Sequence, residues 1–198
     1  ERRSSRTRIP VWYPPMSHAM PSMVARTLPT PVVQTAVVPR FLAFASIAAA
    51  ADLVTKGIAT AFLANDKVVP LAERFFLTLV YNTGSAGGVS IGPFTGSLNV
   101  LVTVIAIIMV ARIVAPLAAV DARATLPLAL VSGGAFGNLA SMLVGPQGVA
   151  DFIAVQLTGT TTIVMNLADL LLWSGALLLG PVIVTLVRAM RAERRLAA

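Results

Sequence analysis

Asp151 and Asp169 are the residues whose type and setting could do chemistry. Asp151 lies in Val149-Ala150-Asp151-Phe152-Ile153, and Asp169 in Met165-Asn166-Leu167-Ala168-Asp169-Leu170-Leu171-Leu172. A carboxyl among apolar residues at membrane depth is costly and is usually kept for a functional reason. Two of them converging would share one proton, because like charges close together cannot both ionise cheaply. The ionised partner then takes a proton from water, and the protonated one donates to a carbonyl or a leaving amine. That is peptide hydrolysis without a metal or a nucleophilic side chain. Position alone leaves a second reading open, with Asp151 a solvated loop residue and Asp169 a buried structural group bonded to Asn166 or Asn138.

The elements that must position this pair belong to a membrane protein. Hydrophobic residues make up 57% of the 198 and charged residues 12%. Mean hydropathy is +0.84, far above that of an ordinary soluble domain. The chain has no cysteine and a single histidine, His18, in a Pro-rich segment, so disulfides, thiolate chemistry, Cys-ligated zinc and a Ser-His triad are all excluded. No metal or cofactor is expected, and nothing points to nucleic acid.

The first 40 residues hold seven of the 13 prolines (Pro10, Pro14, Pro15, Pro21, Pro29, Pro31, Pro39), six of the 15 basic residues, and Glu1 as their only acid. Such a stretch resists helix propagation and buries little, which predicts a flexible basic arm over 1–40. Its readings are a solvated leader, with Met16, Met20 or Met23 as an alternative start, or a tail that binds phospholipid. A membrane domain follows over 41–189, then a basic tail over 190–198. Four apolar spans of about 20 residues or more fit the domain, over roughly 41–64, 98–119, 125–144 and 163–187.

Basic residues orient these spans. Arg26 and Arg40 precede the first, Arg112 and Arg123 bracket the junction of the second and third, and Arg188, Arg191, Arg194 and Arg195 follow the fourth. By the positive-inside rule, these sites and both termini face the cytoplasm. The segment between spans one and two balances Asp66 and Glu73 against Lys67 and Arg74, and residues 145–162 carry no Lys or Arg, so both face outward. Asp151 then falls at the outer interface, with Asp169 about two helical turns into span four from the same side. Residues 75–90 alternate apolar and small polar types, with Leu77, Leu79 and Tyr81 on one side of a candidate strand.

Asp52 and Lys56 are spaced i, i+4 in acid-first order on one helical face and neutralise each other inside the membrane. Gly133, Gly137 and Ser141, beside Gly134 and Asn138, form a small-residue stripe suited to close helix packing. Asn82-Thr83-Gly84 with Gly87 and Gly88 supplies turn residues. Trp12, Tyr13 and Trp173 read as interfacial or packing aromatics.

Five ordered motifs carry a family resemblance. They are Asp52-Leu53-Val54-Thr55-Lys56, Asn82-Thr83-Gly84-Ser85-Ala86, Gly133-Gly134-Ala135-Phe136-Gly137-Asn138-Leu139, Asp151-Phe152-Ile153 and Asn166-Leu167-Ala168-Asp169. Over about residues 41–175 the chain resembles the bacterial lipoprotein signal peptidases, signal peptidase II. The resemblance implies an all-α integral membrane protein of four transmembrane helices, with a small extracytoplasmic β-cradle between helices 1 and 2. It further implies an aspartyl endopeptidase of the bacterial cytoplasmic (inner) membrane that cleaves diacylglyceryl-modified prolipoproteins before the lipidated cysteine. Asp151 and Asp169 are then the catalytic dyad; Asn82, Gly84, Asn138 and Asn166 are substrate-binding; Asp52, Lys56, Gly134 and Gly137 are structural supports. Partners are lipidated prolipoproteins, membrane lipids and, on one reading, another membrane protein.

Three positions depart from the family pattern. Ser141-Met142 stands where an Asp-Arg pair is usual, Gly87 where an aromatic is usual, and Leu53 where Gln is usual. The missing arginine belongs to the substrate-binding side of the site. Two functions are therefore carried forward: an aspartyl endopeptidase acting on lipoprotein precursors, or a non-catalytic four-helix subunit that binds lipidated or transmembrane partners in the same groove. Neither an inverted repeat nor a ring of polar pore residues supports a transporter or channel.

Overall fold

A computed structural model describes residues 31–83, 90, 92–145 and 147–197. Four helices are long and apolar enough to cross a membrane: α1 (Pro31–Phe62), α2 (Thr95–Val120), α3 (Thr125–Val144) and α4 (Leu167–Ala197). Among the described residues there are also four short strands: β1 (Val69–Ala72) and β2 (Phe75–Asn82) between α1 and α2, then β3 (Val149–Gln156) and β4 (Thr162–Met165) between α3 and α4.

Helix α1 starts ten residues before the expected span and passes through Pro39 without a break. Pro31 stands at its first position, where a missing N–H costs nothing. Further along, Val37 and Phe41 are buried in one cluster with Val114, Ala118, Leu128 and Val182. That burial offsets the hydrogen bond lost at Pro39. The last ten residues of the expected arm are thus helical, while residues 1–30, including His18, Trp12 and Tyr13, lie outside the described residues. At the other terminus, the expected basic tail continues α4 to Ala197.

Helix α3 is the central element, packed against α1 and α4 and, less extensively, α2. Its small residues set the spacing. A Cβ on Gly133 would stand 2.5 Å from the Ala48 Cβ of α1, and one on Gly134 would stand 2.7 Å from the Ala168 carbonyl oxygen of α4. One on Gly137 would overlap the Asp52 carboxylate. The short connection from α2 to α3 is a single 3-10 turn, Ala122–Ala124. Asp121 caps it, accepting from the Arg123 backbone N–H at 3.0 Å and pairing with Arg123 Nη2 at 2.7 Å. The side-chain hydrogen bond from Arg123 pulls the Asp121 carboxyl down to about 2.

At the opposite end, the strands form one antiparallel sheet in the order β1-β2-β3-β4. The sheet therefore draws equally on both connections at that end, not only on the one between the first two helices. Val80 pairs with Asp151, Asn82 with Val149, and Ile153 with Met165. Leu77, Leu79, Phe152 and Ile153 pack with Ala59 and Leu63, seating the sheet on the end of α1. The expected fourth span opens at about residue 163, but Thr162, Ile163 and Val164 are β-branched and residues 162–165 extend as β4. Helix α4 consequently begins at Leu167, and Asp169 sits in its first turn, not two turns deep.

Candidate active site

Asp151 and Asp169 line one groove of about 480 Å³ at the sheet end of the bundle. Strand β2 contributes Asn82 and β3 contributes Val149 and Asp151. Helix α3 contributes Asn138 and Met142, and α2 adds Leu98, Asn99, Val102 and Thr103. Asn166 and Asp169 enter from the start of α4.

The sequence around Asn166 explains how the pair is held. Asn166 precedes the first residue of α4, and its Oδ1 accepts from the Asp169 backbone N–H at 3.2 Å. Asp169 Oδ2 reaches back to accept from the Asn166 backbone N–H at 3.0 Å. This reciprocal arrangement is a capping box built from Asn and Asp, and it satisfies two helix-terminal donors that would otherwise be orphaned. The other end of the same amide, Asn166 Nδ2, donates to Asp151 Oδ1 at 2.6 Å. One side chain, 1% exposed, therefore joins both aspartates.

Asp151 is 5% exposed, which disposes of its reading as a solvated loop residue. Burial pushes its carboxyl upward from the ordinary value. The charge of Asp169 acts in the same direction, while side-chain hydrogen bonds from Asn166 and Asn82 and the charge of Lys56 pull it back.

A second set of contacts ties Asp169 to α1. Asn138 Nδ2 donates to Asp169 Oδ1 at 3.3 Å, and Asn138 Oδ1 accepts from Lys56 Nζ at 2.6 Å. Lys56 Nζ also donates to Asp52 Oδ2 at 2.6 Å. Asp52 Oδ1 accepts from the Ala168 backbone N–H at 2.8 Å, so an α1 carboxylate caps a further donor of the α4 terminus. With Asp52 0% and Lys56 5% exposed, the pair is buried, and each member depends on the other and on these added hydrogen bonds. The lysine's two acceptors dictate the amide orientation of Asn138, because only its oxygen can face an ammonium.

The remaining sequence-derived positions divide. Ser141 Oγ turns back to its own helix and donates to the Gly137 carbonyl at 2.9 Å, while Met142 lines the groove. Leu53 lines a separate cleft of about 560 Å³ between α1 and α3, whose wall includes Lys56. Gly84 and Gly87 lie outside the described residues. Sequence reasoning missed the α2 wall. Its signal was Leu98, Asn99, Val102 and Thr103 at i, i+1, i+4 and i+5, with two polar side chains four apart in the outer half of a largely apolar span.

Four helices long and apolar enough to span a membrane, with a groove lined by α2, α3, α4 and the sheet, define an integral membrane protein whose paired carboxylates sit at one end of the bundle. Residues 44–185 match the family model described as signal peptidase (SPase) II, Peptidase_A8. The match covers well over half of the chain, and the protein belongs to the signal peptidase II family. The fold is similar to that of a bacterial membrane enzyme solved by the in meso method at 2.3 Å resolution. The TM-score is 0.64 and the identity 22%, over 77% of this chain and 90% of that one. A second bacterial membrane enzyme structure, at 1.9 Å resolution, gives a TM-score of 0.62 and 22% identity, over 72% of this chain and 90% of the other. Comparison with curated protein sequences gives no match.

Proposed function

We propose that this protein is an aspartyl endopeptidase that removes the signal peptide from diacylglyceryl-modified prolipoproteins, cutting before the lipidated cysteine, with Asp151 and Asp169 as its catalytic pair. The observation that carries the reading is the Asn166 side chain, which bonds the Asp151 carboxyl through one atom and the Asp169 backbone through another within one groove. Asp151, whose carboxyl burial pushes upward, donates its proton to the scissile carbonyl as the water deprotonated by Asp169 adds to it. Asp169 then passes the water's proton to the leaving amine while Asp151 recovers its own from the collapsing gem-diol. Asp169 accepts only N–H donors in the contacts described above and takes the proton from the attacking water. Asn82, Asn138 and Asn166 offer amide donors and acceptors to an extended substrate backbone, with Gly84 in the adjoining segment. Asp52 and Lys56 hold α1 against the start of α4.

The arginines support an orientation. Arg123 sits at the α2–α3 turn and Arg188, Arg191, Arg194 and Arg195 toward the end of α4, away from the sheet. That end faces the cytoplasm with both termini, and the groove opens at the outer face of the bacterial cytoplasmic membrane. The test is cleavage of a purified lipidated precursor by the protein in lipid. Wild type should release the signal peptide, and Asp151→Asn or Asp169→Asn should not, although both fold. Cleavage by either variant at the wild-type rate would refute the assignment.

Met142 favours a second reading. Among the described residues none that lines the groove is Lys or Arg, so the side where an arginine is usual presents a thioether instead. On that reading the protein binds lipidated or transmembrane partners without cutting them. Stable capture of intact precursor with no product over many hours would decide for it.

A further inference from the structure

The end of the bundle away from the sheet has a cleft of its own, about 570 Å³, between α1, α3 and α4. Its mouth carries Arg40 from α1 and Arg123 from the α2–α3 turn, and its walls include Phe44, Leu126, Leu178 and Val182. Val182 is 1% exposed at the floor, whereas Phe44, Leu126 and Leu178 are 43%, 42% and 49% exposed. The cleft is within the usual size range of sites for small molecules, about 300–1,000 Å³.

The charges at the mouth do not balance. Arg123 is committed to Asp121 through Nε at 3.0 Å and Nη2 at 2.7 Å, and Nη2 also donates to Thr185 Oγ1 at 3.3 Å. Its Nη1 has no acceptor among the described residues, and the ion pair is neutral as a whole. Arg40 lies about one turn inside the span Ala36–Phe62, with no acidic partner for it among the described residues. One net positive charge thus stands at headgroup depth above an apolar slot, and a guanidinium there is relieved by an anionic headgroup.

We propose that this cleft binds one anionic phospholipid of the bilayer, its phosphate held by Arg40 and Arg123 Nη1 and one acyl chain lying against Phe44, Leu126, Leu178 and Val182. The single unbalanced charge matches a headgroup of net charge −1. Among the described residues no carboxylate lines the cleft to receive the ammonium of a zwitterionic lipid, and Asp121 is already paired. The site is separate from the aspartate groove, and its occupancy does not depend on whether the protein cuts peptides.

The full chain in detergent micelles, titrated with phosphatidylglycerol or with phosphatidylcholine of the same acyl chains, reads the proposal by native mass spectrometry of bound lipid. Wild type should retain one phosphatidylglycerol in preference to phosphatidylcholine. Arg40→Gln should weaken that binding about tenfold or more, as expected for loss of a charge-assisted bond. Leu178→Trp, which fills the apolar wall, should weaken it while leaving both guanidinium groups in place. Arg195→Gln, in the separate basic cluster near the end of α4, should leave it unchanged. Equal retention of the two lipids, unchanged binding in Arg40→Gln, or an equal loss in Arg195→Gln would overturn the proposal. So would full competition by millimolar inorganic phosphate, which would mark a site for the ion alone.

Discussion

Gly137→Ala should disable this protein although alanine is the better helix former. In an unconstrained helix interior the change stabilises by about 1 kcal/mol. At Gly57 of α1, where a Cβ would meet nothing within 4 Å, that gain should appear. At Gly137 the new methyl would overlap the Asp52 carboxylate, which is fully buried and cannot retreat into solvent. Forcing a methyl into a filled interior costs about 1–3 kcal/mol. Displacing Asp52 also weakens its charge-assisted bonds to Lys56 and to the Ala168 N–H, worth about 1.5–3 kcal/mol each when lost outright. After the gain in helix propensity is set against these costs, the net loss is about 2–4 kcal/mol. It should be accompanied by a fall in precursor cleavage, since α4 would lose the cap beside Asp169. Unfolding in mixed micelles of graded denaturing detergent, run in parallel on Gly137→Ala, Gly57→Ala and wild type, measures the first part; cleavage of lipidated precursor measures the second. The reasoning is refuted if Gly137→Ala matches Gly57→Ala in both assays.

The Asp52–Lys56 pair should show strong coupling: Asp52→Leu or Lys56→Met alone should destabilise by about 3–5 kcal/mol through an orphaned buried charge, and the double variant by less than either. Additive losses in a double-mutant cycle would show the two groups to be independent. For Asp151, the upward displacement of its carboxyl means that the folded state favours the protonated form. Its stabilising contribution is complete below the ordinary carboxylate value of about 3.9 and is lost as pH rises through the raised value, by about 1.4 kcal/mol per unit of displacement. Wild type measured against Asp151→Asn should therefore lose relative stability from acid toward neutral pH, and parallel pH profiles would contradict the buried carboxyl. Asn166→Ala should cost about 1 kcal/mol as a lost helix cap but reduce cleavage at least a hundredfold, because it also releases Asp151. A loss of activity no larger than the loss of stability predicts would reduce Asn166 to a cap.

Much of this arrangement was legible because apolar length and basic flanks are strong local signals. The third span was read over 125–144, the bounds α3 has. The i, i+4 spacing of Asp52 and Lys56 likewise announced a pair on one face, and the two meet at 2.6 Å. The errors arose where tertiary contacts override composition. Pro39 reads as a helix breaker, yet α1 continues through it because Val37 and Phe41 have a core to enter. Residues 163–165 are apolar enough to open a span, and only pairing with β3 makes them part of a strand. That single shift moved Asp169 into the first turn of α4, where its role in a capping box with Asn166 becomes visible. The use of Asn138 as a relay between Lys56 and Asp169 was not legible, since it joins residues 82 and 31 positions apart in the chain.

Single-turnover cleavage of a lipidated precursor by wild type, Asp151→Asn, Asp169→Asn and the double variant tests the central claim most directly. If the two carboxyls act as one acid–base unit, each single variant should lose at least a thousandfold in rate while retaining its fold, and the double variant should be no slower than either. A single variant within tenfold of wild type, or losses that multiply in the double variant, would contradict the account.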